Sequence, residues 1–261
     1  MLTMRGVSLV REGNRLLSDI DLNIERGERL VILGPNGAGK TLLMEVAHRL
    51  LLPTAGEVVD DDGPVREAMV FQRPVLLRRS VLANVLYAID HAQLTRGGVA
   101  AGAGGAGVAG SSSRPPELRD AAAAGYLPES RLARARAALR LVGLEALAHR
   151  PARVLSAGEQ QRTALARAAA LCPDLVWFDE PTANLDPAST LAIEAIVMQM
   201  SRDGTTCVMS THDIGQAKRL AQRILLMATG RIIEATPAEQ FFHEPATESG
   251  RRYLRGELLN G

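Results

Sequence analysis

Gly34-Pro35-Asn36-Gly37-Ala38-Gly39-Lys40-Thr41 is the stretch that decides the fold. It fits the pattern G-x-x-x-x-G-K-[S/T], and its flanks are the ones that pattern needs. Before it, Leu30-Val31-Ile32-Leu33 is an unbroken apolar run of strand length; after it, Thr41-Leu42-Leu43-Met44-Glu45-Val46-Ala47 reads as a helix. Glycines let the backbone curl so that successive N–H groups and the helix N-terminus face phosphate oxygens. Lys40 then reaches the β and γ phosphates, and the Thr41 hydroxyl binds Mg²⁺. The lysine stands out in this chain, because only two of its thirty basic residues are Lys.

Bulk properties narrow the classes around that loop. A chain of 261 residues with 46% hydrophobic content can bury one large core, or one core with an appended subdomain. Its formal charge is +1 with both signs interspersed, which argues against a nucleic-acid footprint. Cys172 and Cys207 are isolated, so neither a disulfide framework nor a cysteine metal site is expected, and buried reduced thiols in a cytoplasmic protein are the plain reading. No stretch approaches the ~18 apolar residues of a membrane span, and the N-terminus lacks the apolar segment of a signal peptide. Membrane association is therefore expected only through a partner.

Along the chain, residues 4–33 alternate short β-like runs with turns at Glu12-Gly13-Asn14 and Arg26-Gly27-Glu28, predicting an antiparallel patch ahead of the first core strand. Gly56–Val59 and Ala68–Phe71 read as strands, and Ser80–Ala92 as helix. Residues 97–114 are almost entirely Gly, Ala and Ser, a composition expected to be disordered. Leu132, Ala135, Leu139 and Val142 line one helix face. Leu175–Phe178 and Cys207–Ser210 are apolar strands separated by a helix over residues 188–202, the alternation of a parallel sheet. Ile224–Met227 and Arg231–Glu234, joined through Thr229-Gly230, predict a closing hairpin.

The strand at Leu175–Phe178 runs into Asp179-Glu180. In a parallel sheet this puts two carboxylates at the carboxyl end of a core strand, beside the phosphate loop. Asp179 is placed to serve Mg²⁺, and Glu180 to polarise or deprotonate the attacking water.

Taken in order, Gly34–Thr41, Gln72 after a strand, Leu155-Ser156-Ala157-Gly158-Glu159-Gln160-Gln161-Arg162, Asp179-Glu180, Ala183-Asn184-Leu185-Asp186 and Thr211-His212-Asp213 resemble the nucleotide-binding subunit of an ATP-binding cassette transporter. The resemblance spans nearly the whole chain. It implies an α/β fold: a P-loop NTPase core with an N-terminal antiparallel β patch and an inserted helical subdomain. The core would take residues 1–71 and 166–240, the helical subdomain 72–165 with the insert at 97–114, and a C-terminal tail 241–261. It also implies ATP and Mg²⁺ as cofactors, a homodimer or paired cassette subunit, an integral membrane permease, a solute-binding protein acting indirectly, no nucleic-acid partner, and a peripheral place on the cytoplasmic face of the membrane.

Residue roles follow from the same resemblance. Gln72 would touch Mg²⁺ and the attacking water through its amide. Ser156, Gly158 and Glu159 would reach the nucleotide held by the opposite subunit, and Asp186 would lie across the dimer interface. His212 would hydrogen-bond the γ-phosphate and hold Glu180 and water in place. Ala157 stands where the family signature carries Gly, and Glu159 where it carries Gln; Gly158 is retained. Arg11 occupies the position of the adenine-stacking aromatic, and a planar guanidinium can also stack on a base.

Residues His149–Val154 lack the acidic, glycine-containing loop typical of exporters, which favours import. The segment Val70–Val81 resembles the corresponding region of bacterial tungstate- and molybdate-type oxyanion importers. An importer of another solute, an exporter and a soluble cassette ATPase are the alternatives. A soluble cassette of DNA repair or translation would show cysteine pairs, a coiled-coil insertion or tandem cassettes. A non-catalytic cassette would be expected to lose Lys40, Glu180 or His212, all present here.

Overall fold

A computed structural model of the chain describes residues 1–97 and 128–257. In chain order the elements are β1 (Leu2–Arg11), β2 (Asn14–Ile24), β3 (Arg29–Leu33), α1 (Lys40–Ala47), β4 (Ala55–Asp60), β5 (Glu67–Val70), α2 (Val81–Gly97) and α3 (Pro128–Leu141). There follow α4 (Ala157–Ala169), β6 (Leu175–Asp179), α5 (Pro187–Arg202), β7 (Thr206–Thr211), α6 (Ile214–Leu220), β8 (Arg223–Ala228), β9 (Arg231–Pro237), α7 (Ala238–His243) and α8 (Glu248–Leu254). Apart from Gly97, the low-complexity insert expected at 97–114 lies outside the described residues.

The chain divides into two compact units, one of residues 1–71, 174–181 and 205–261, the other of residues 72–173 and 182–204. The first unit holds both sheets. A six-stranded sheet has the order β5-β6-β7-β3-β8-β9. Five of its strands run parallel, and β9 pairs antiparallel with β8. Every residue of β6 and β7 is buried. This is why those strands are continuous apolar runs: a parallel strand is covered on both faces. The expected hairpin joins β8 to β9 through Thr229 and Gly230, both at positive φ, the geometry that matches the strand twist in a two-residue turn.

A second, three-stranded antiparallel sheet has the order β2-β1-β4. Its inward side chains, among them Leu2, Met4, Val7, Leu17 and Ile20, share one core with Leu43, Met44, Val46 and Ala47 of α1 and with Trp177, Val208 and Leu225 of the larger sheet. α1 is thereby packed by its apolar face, and its first residue, Lys40, is fixed at the end of β3.

The second unit is helical. α2, α3 and α4 pack on one another, and α5 packs on α4. Ala135, Leu139 and Val142 are buried, as their spacing predicts. Arg134 is buried as well, its guanidinium donating to the Ala170 carbonyl at 2.6 Å. α5 groups with α4, against which it packs, although residues 166–240 had been expected to belong together with the core. Both cysteines are buried and outside any disulfide, and burial pushes the Cys207 thiol up to about 12, so it stays protonated and unreactive.

Candidate functional site

β3, β6 and β7 lie side by side in parallel, with Leu33 paired to Thr211 and Asp179 paired to Ser210. Their carboxyl ends therefore deliver the residue-34 loop, Asp179-Glu180 and Thr211-His212 to one edge of the sheet. That edge is where open α/β sheets bind ligands.

The loop closes tightly on the protein. A Cβ at Gly34 would stand 2.3 Å from the Met227 carbonyl oxygen, so only glycine fits. Gly39 caps α1 in the left-handed region at φ 97°, with no side chain bonding the helix N-terminus. The first N–H groups of α1 are thus left for an anion. Lys40, 6% exposed, donates to the Gly34 carbonyl at 2.8 Å and to the Pro35 carbonyl at 3.1 Å, with Glu180 Oε1 3.5 Å away. Its ammonium is held at the mouth of the cradle by groups that a phosphate can replace.

Opposite the loop, the Thr41 hydroxyl bonds to both oxygens of Asp179 at 3.0 Å. Ser210 Oγ donates to Asp179 Oδ1 at 2.8 Å and accepts the Glu180 N–H at 2.9 Å. Among the described residues no cluster of three or more His, Cys, Asp or Glu could hold a metal. A hydroxyl and one carboxylate suit Mg²⁺, which takes one or two protein oxygens and fills its remaining positions with water and phosphate.

Glu180 sits just past the strand at φ 39°, a backbone state that costs a non-glycine residue about 1–3 kcal/mol. The bond from its N–H to Ser210 holds it there. Its carboxylate lies between Lys40 and His212, with His212 Nδ1 3.3 Å from Oε2. His212 itself is exposed, and Glu180 nearly buried. One carboxylate beside a phosphate loop, fixed by backbone and flanked by an imidazole, can orient water and accept its proton.

Sequence reading did not single out Ser210. Its one visible signal is a hydroxyl at the end of an apolar strand, which gains meaning only from the pairing with Asp179. Ser210→Ala leaves the Glu180 N–H without its acceptor and leaves Asp179 Oδ1 with the Thr41 hydroxyl alone. The expected result is a loss of about 2 kcal/mol in denaturant melts, with ATP turnover lowered about 10-fold. An unchanged melt and rate would remove Ser210 from the site.

The remaining candidates lie in the second unit or at the edge of the first. Gln72 follows β5 at an exposed position. Ser156 is the N-cap of α4 in a full capping box: its Oγ accepts the Glu159 N–H at 3.3 Å, and Glu159 Oε2 accepts the Ser156 N–H at 2.8 Å. Those bonds from the Ser156 backbone and hydroxyl hold the Glu159 carboxyl below its ordinary range. Within its own chain Glu159 thus closes the helix cap. Gly158 is buried, and a Cβ on it would stand 2.3 Å from Ser189 Oγ of α5. Asp186 is exposed and caps α5, accepting the Ser189 N–H at 2.9 Å. Arg11 is exposed at the end of β1, paired in register with Asn14.

A family model described as ABC transporter matches residues 17–183. The chain belongs to that family. The cassette is 33% identical to the phosphate import ATP-binding protein PstB 2 of Natronomonas pharaonis, over 99% of this chain and 87% of that protein. It is 36% identical to a probable anion import ATP-binding protein of Haloferax volcanii (94% and 83% covered) and 30% identical to the glutamine transport ATP-binding protein GlnQ of Escherichia coli (98% and 99%). Among solved structures it is similar to cbiO1 of Clostridium perfringens, described as part of the ABC transporter complex cbiONQ, at TM-score 0.74 and 26% identity, over 97% of this chain and 94% of that one. It is also similar to the dimeric, post-hydrolysis ATP-binding cassette MJ0796 bound to ADP and Pi, at TM-score 0.70 and 27% identity, over 91% and 99%. The α/β P-loop fold expected from the sequence is the fold found, and the cassette is an ATPase. Among the described residues no helix is long and apolar enough to cross a membrane.

Proposed function

We propose that this cassette powers import of an oxyanion of the tungstate type through a membrane permease, working as a dimer on the cytoplasmic face of the membrane. The observation carrying the hydrolytic reading is the convergence of Lys40, Thr41, Asp179, Glu180 and His212 at one sheet edge. Phosphate oxygens replace the loop carbonyls as acceptors for Lys40. Thr41 and Asp179 would hold Mg²⁺, whose charge would offset that of the phosphates. Glu180 takes the proton of the attacking water, and His212 keeps its carboxylate in place. Gln72 contributes its amide, while Ser156 and Gly158 serve the nucleotide of the opposite subunit, with Asp186 at the interface between them.

Import is supported by relatives whose names are those of import proteins, and an anion by two of them. The resemblance of residues 70–81 to the corresponding segment of tungstate- and molybdate-type importers supports that class of anion. The test is ATP hydrolysis by the cassette assembled with its permease in vesicles, with a solute-binding protein loaded in turn with tungstate, molybdate, phosphate or glutamine. Stimulation by tungstate is expected; stimulation by phosphate or glutamine alone would reassign the solute.

The permease is expected to dock on the segment after Gln72. Asn84, wholly buried, shapes it by accepting the Leu77 N–H at 2.8 Å and donating to the Leu77 and Ser80 carbonyls. Arg167 donates to the Val75 carbonyl at 2.6 Å. These bonds turn Val75 outward, 83% exposed, and leave Arg78, Arg79, Ser80, His149, Pro151 and Arg153 around a cavity of about 370 Å³. An apolar knob beside a basic hollow suits a helix end carrying acidic groups. Arg78→Glu with Arg79→Glu should abolish transport while the isolated subunit hydrolyses ATP within about 2-fold of wild type, since neither side chain lies among the residues that hold nucleotide. Equal loss of both activities would show that the two arginines serve folding.

A further inference from the structure

The tip of the β8–β9 hairpin lies against the phosphate loop. The Gly230 N–H donates to the Ala38 carbonyl at 3.0 Å, and the Gly230 carbonyl accepts the Ser18 N–H of β2 at 2.9 Å. One turn residue thus joins the loop on one side to the antiparallel sheet on the other. Only glycine fits at that junction: Gly230 sits at φ 73°, and a Cβ on it would run into the Leu16 carbonyl group and stand 3.3 Å from Leu17 Cα. Gly39 meets the same spot from the loop's side, where a Cβ would stand 3.1 Å from Leu17 Cδ2 and 3.4 Å from Gly230 Cα. The hairpin also borders the start of the loop, because the Met227 carbonyl faces Gly34.

These bonds aim a donor. A peptide unit is planar and trans, so a carbonyl and the N–H that follows it point in opposite directions. With the buried Ala38 carbonyl turned to Gly230, the Gly39 N–H is turned away from the hairpin, and among the described residues it has no acceptor. It stands immediately before α1, whose own N-terminus has no capping side chain. The donors that a phosphate would meet therefore take part of their direction from a turn far along the chain.

We propose that Gly230 is a positioning residue of the nucleotide site: by holding the Ala38 carbonyl, the β8–β9 turn presets the exit of the phosphate loop, so the affinity for ATP depends on the turn. The proposal rests on the reading of residues 34–41 as the ATP loop. Gly230 touches no reacting group, so the chemistry at Glu180 proceeds unchanged once ATP is bound. Such coupling is reciprocal, and bound nucleotide steadies the turn by the same factor that the turn strengthens binding.

Amide hydrogen exchange on the unaltered full chain, with and without the β,γ-imido analogue of ATP and Mg²⁺, tests the link without a mutation. The Gly230 and Ser18 amides should gain about 3- to 10-fold more protection than the ladder around Ile224 and Thr236 at the far end of the hairpin, the scale of one hydrogen bond. Two variants then read affinity. One glycine inserted between Thr229 and Gly230 gives a three-residue turn, a length that hairpins accept, and releases the tip from Ala38. Gly230→Ala drives the tip off Leu16. Each should raise KM and the analogue Kd about 3- to 10-fold, with kcat within about 2-fold. Thr229→Asn, which keeps a residue suited to positive φ beside Gly230, should retain the wild-type Kd. A residue serving only the fold would lower the melting temperature and leave the Kd of the folded protein unchanged. A wild-type Kd in the folded insertion variant, or equal gains in protection at both ends of the hairpin, would overturn the proposal; if neither variant folds, the exchange result decides alone. Lys40→Ala separates the two readings. If it still binds the analogue and turns over, the ATP loop itself is misassigned, whereas an inactive Lys40→Ala beside an insertion variant of wild-type Kd removes only the role given to the turn.

Discussion

Glu180→Gln is expected to bind ATP with near wild-type affinity and to turn it over about 100-fold or more slowly, the scale for loss of one group that acts only in the transition state. The amide is isosteric with the carboxylate, so the strained backbone at φ 39° and its bond to Ser210 survive the change. What is lost is the ability to accept a proton from water. The variant also loses a negative charge facing Lys40 at 3.5 Å, which frees the lysine for phosphate and argues against any weakening of ATP binding. It should therefore accumulate in an ATP-bound, dimeric form, visible by size-exclusion chromatography with nucleotide present. Turnover at the wild-type rate would take Glu180 out of the mechanism.

Much of this site is legible without coordinates because its parts are tied to strand ends. Leu30–Leu33, Leu175–Phe178 and Cys207–Ser210 are buried on both faces, so they appear in the sequence as apolar runs. The polar residues that follow each run are then at the sheet's carboxyl edge by construction. Ser210 escapes this logic because its importance is one of register: only the pairing of β6 with β7 sets it against Asp179 and Glu180. The last three helices escape it more completely: α6, α7 and α8 have six or seven residues each, too short for a periodic face to show. Glu159 carries two signals at once: its place in the family signature points to nucleotide, and its position three residues after Ser156 at a helix start points to a capping box, which is the bond formed within the chain.

The account's central claim is that each hydrolytic site joins the phosphate loop of one chain to Ser156 and Gly158 of another, and mixing two defective variants tests it most directly. Lys40→Ala removes the loop's charge. Ser156→Arg replaces an exposed cap with a bulky cation at the start of α4. Homodimers of either variant carry two faulty sites and should be nearly inactive. A mixed dimer sets the intact loop of the Ser156→Arg chain against the intact signature of the Lys40→Ala chain, leaving one sound site and one doubly broken one. ATPase activity should therefore return on mixing once subunits have exchanged, and specific activity should rise with protein concentration. Two inactive preparations that stay inactive after demonstrated exchange, or full wild-type activity in a preparation shown to be monomeric, would contradict the shared site.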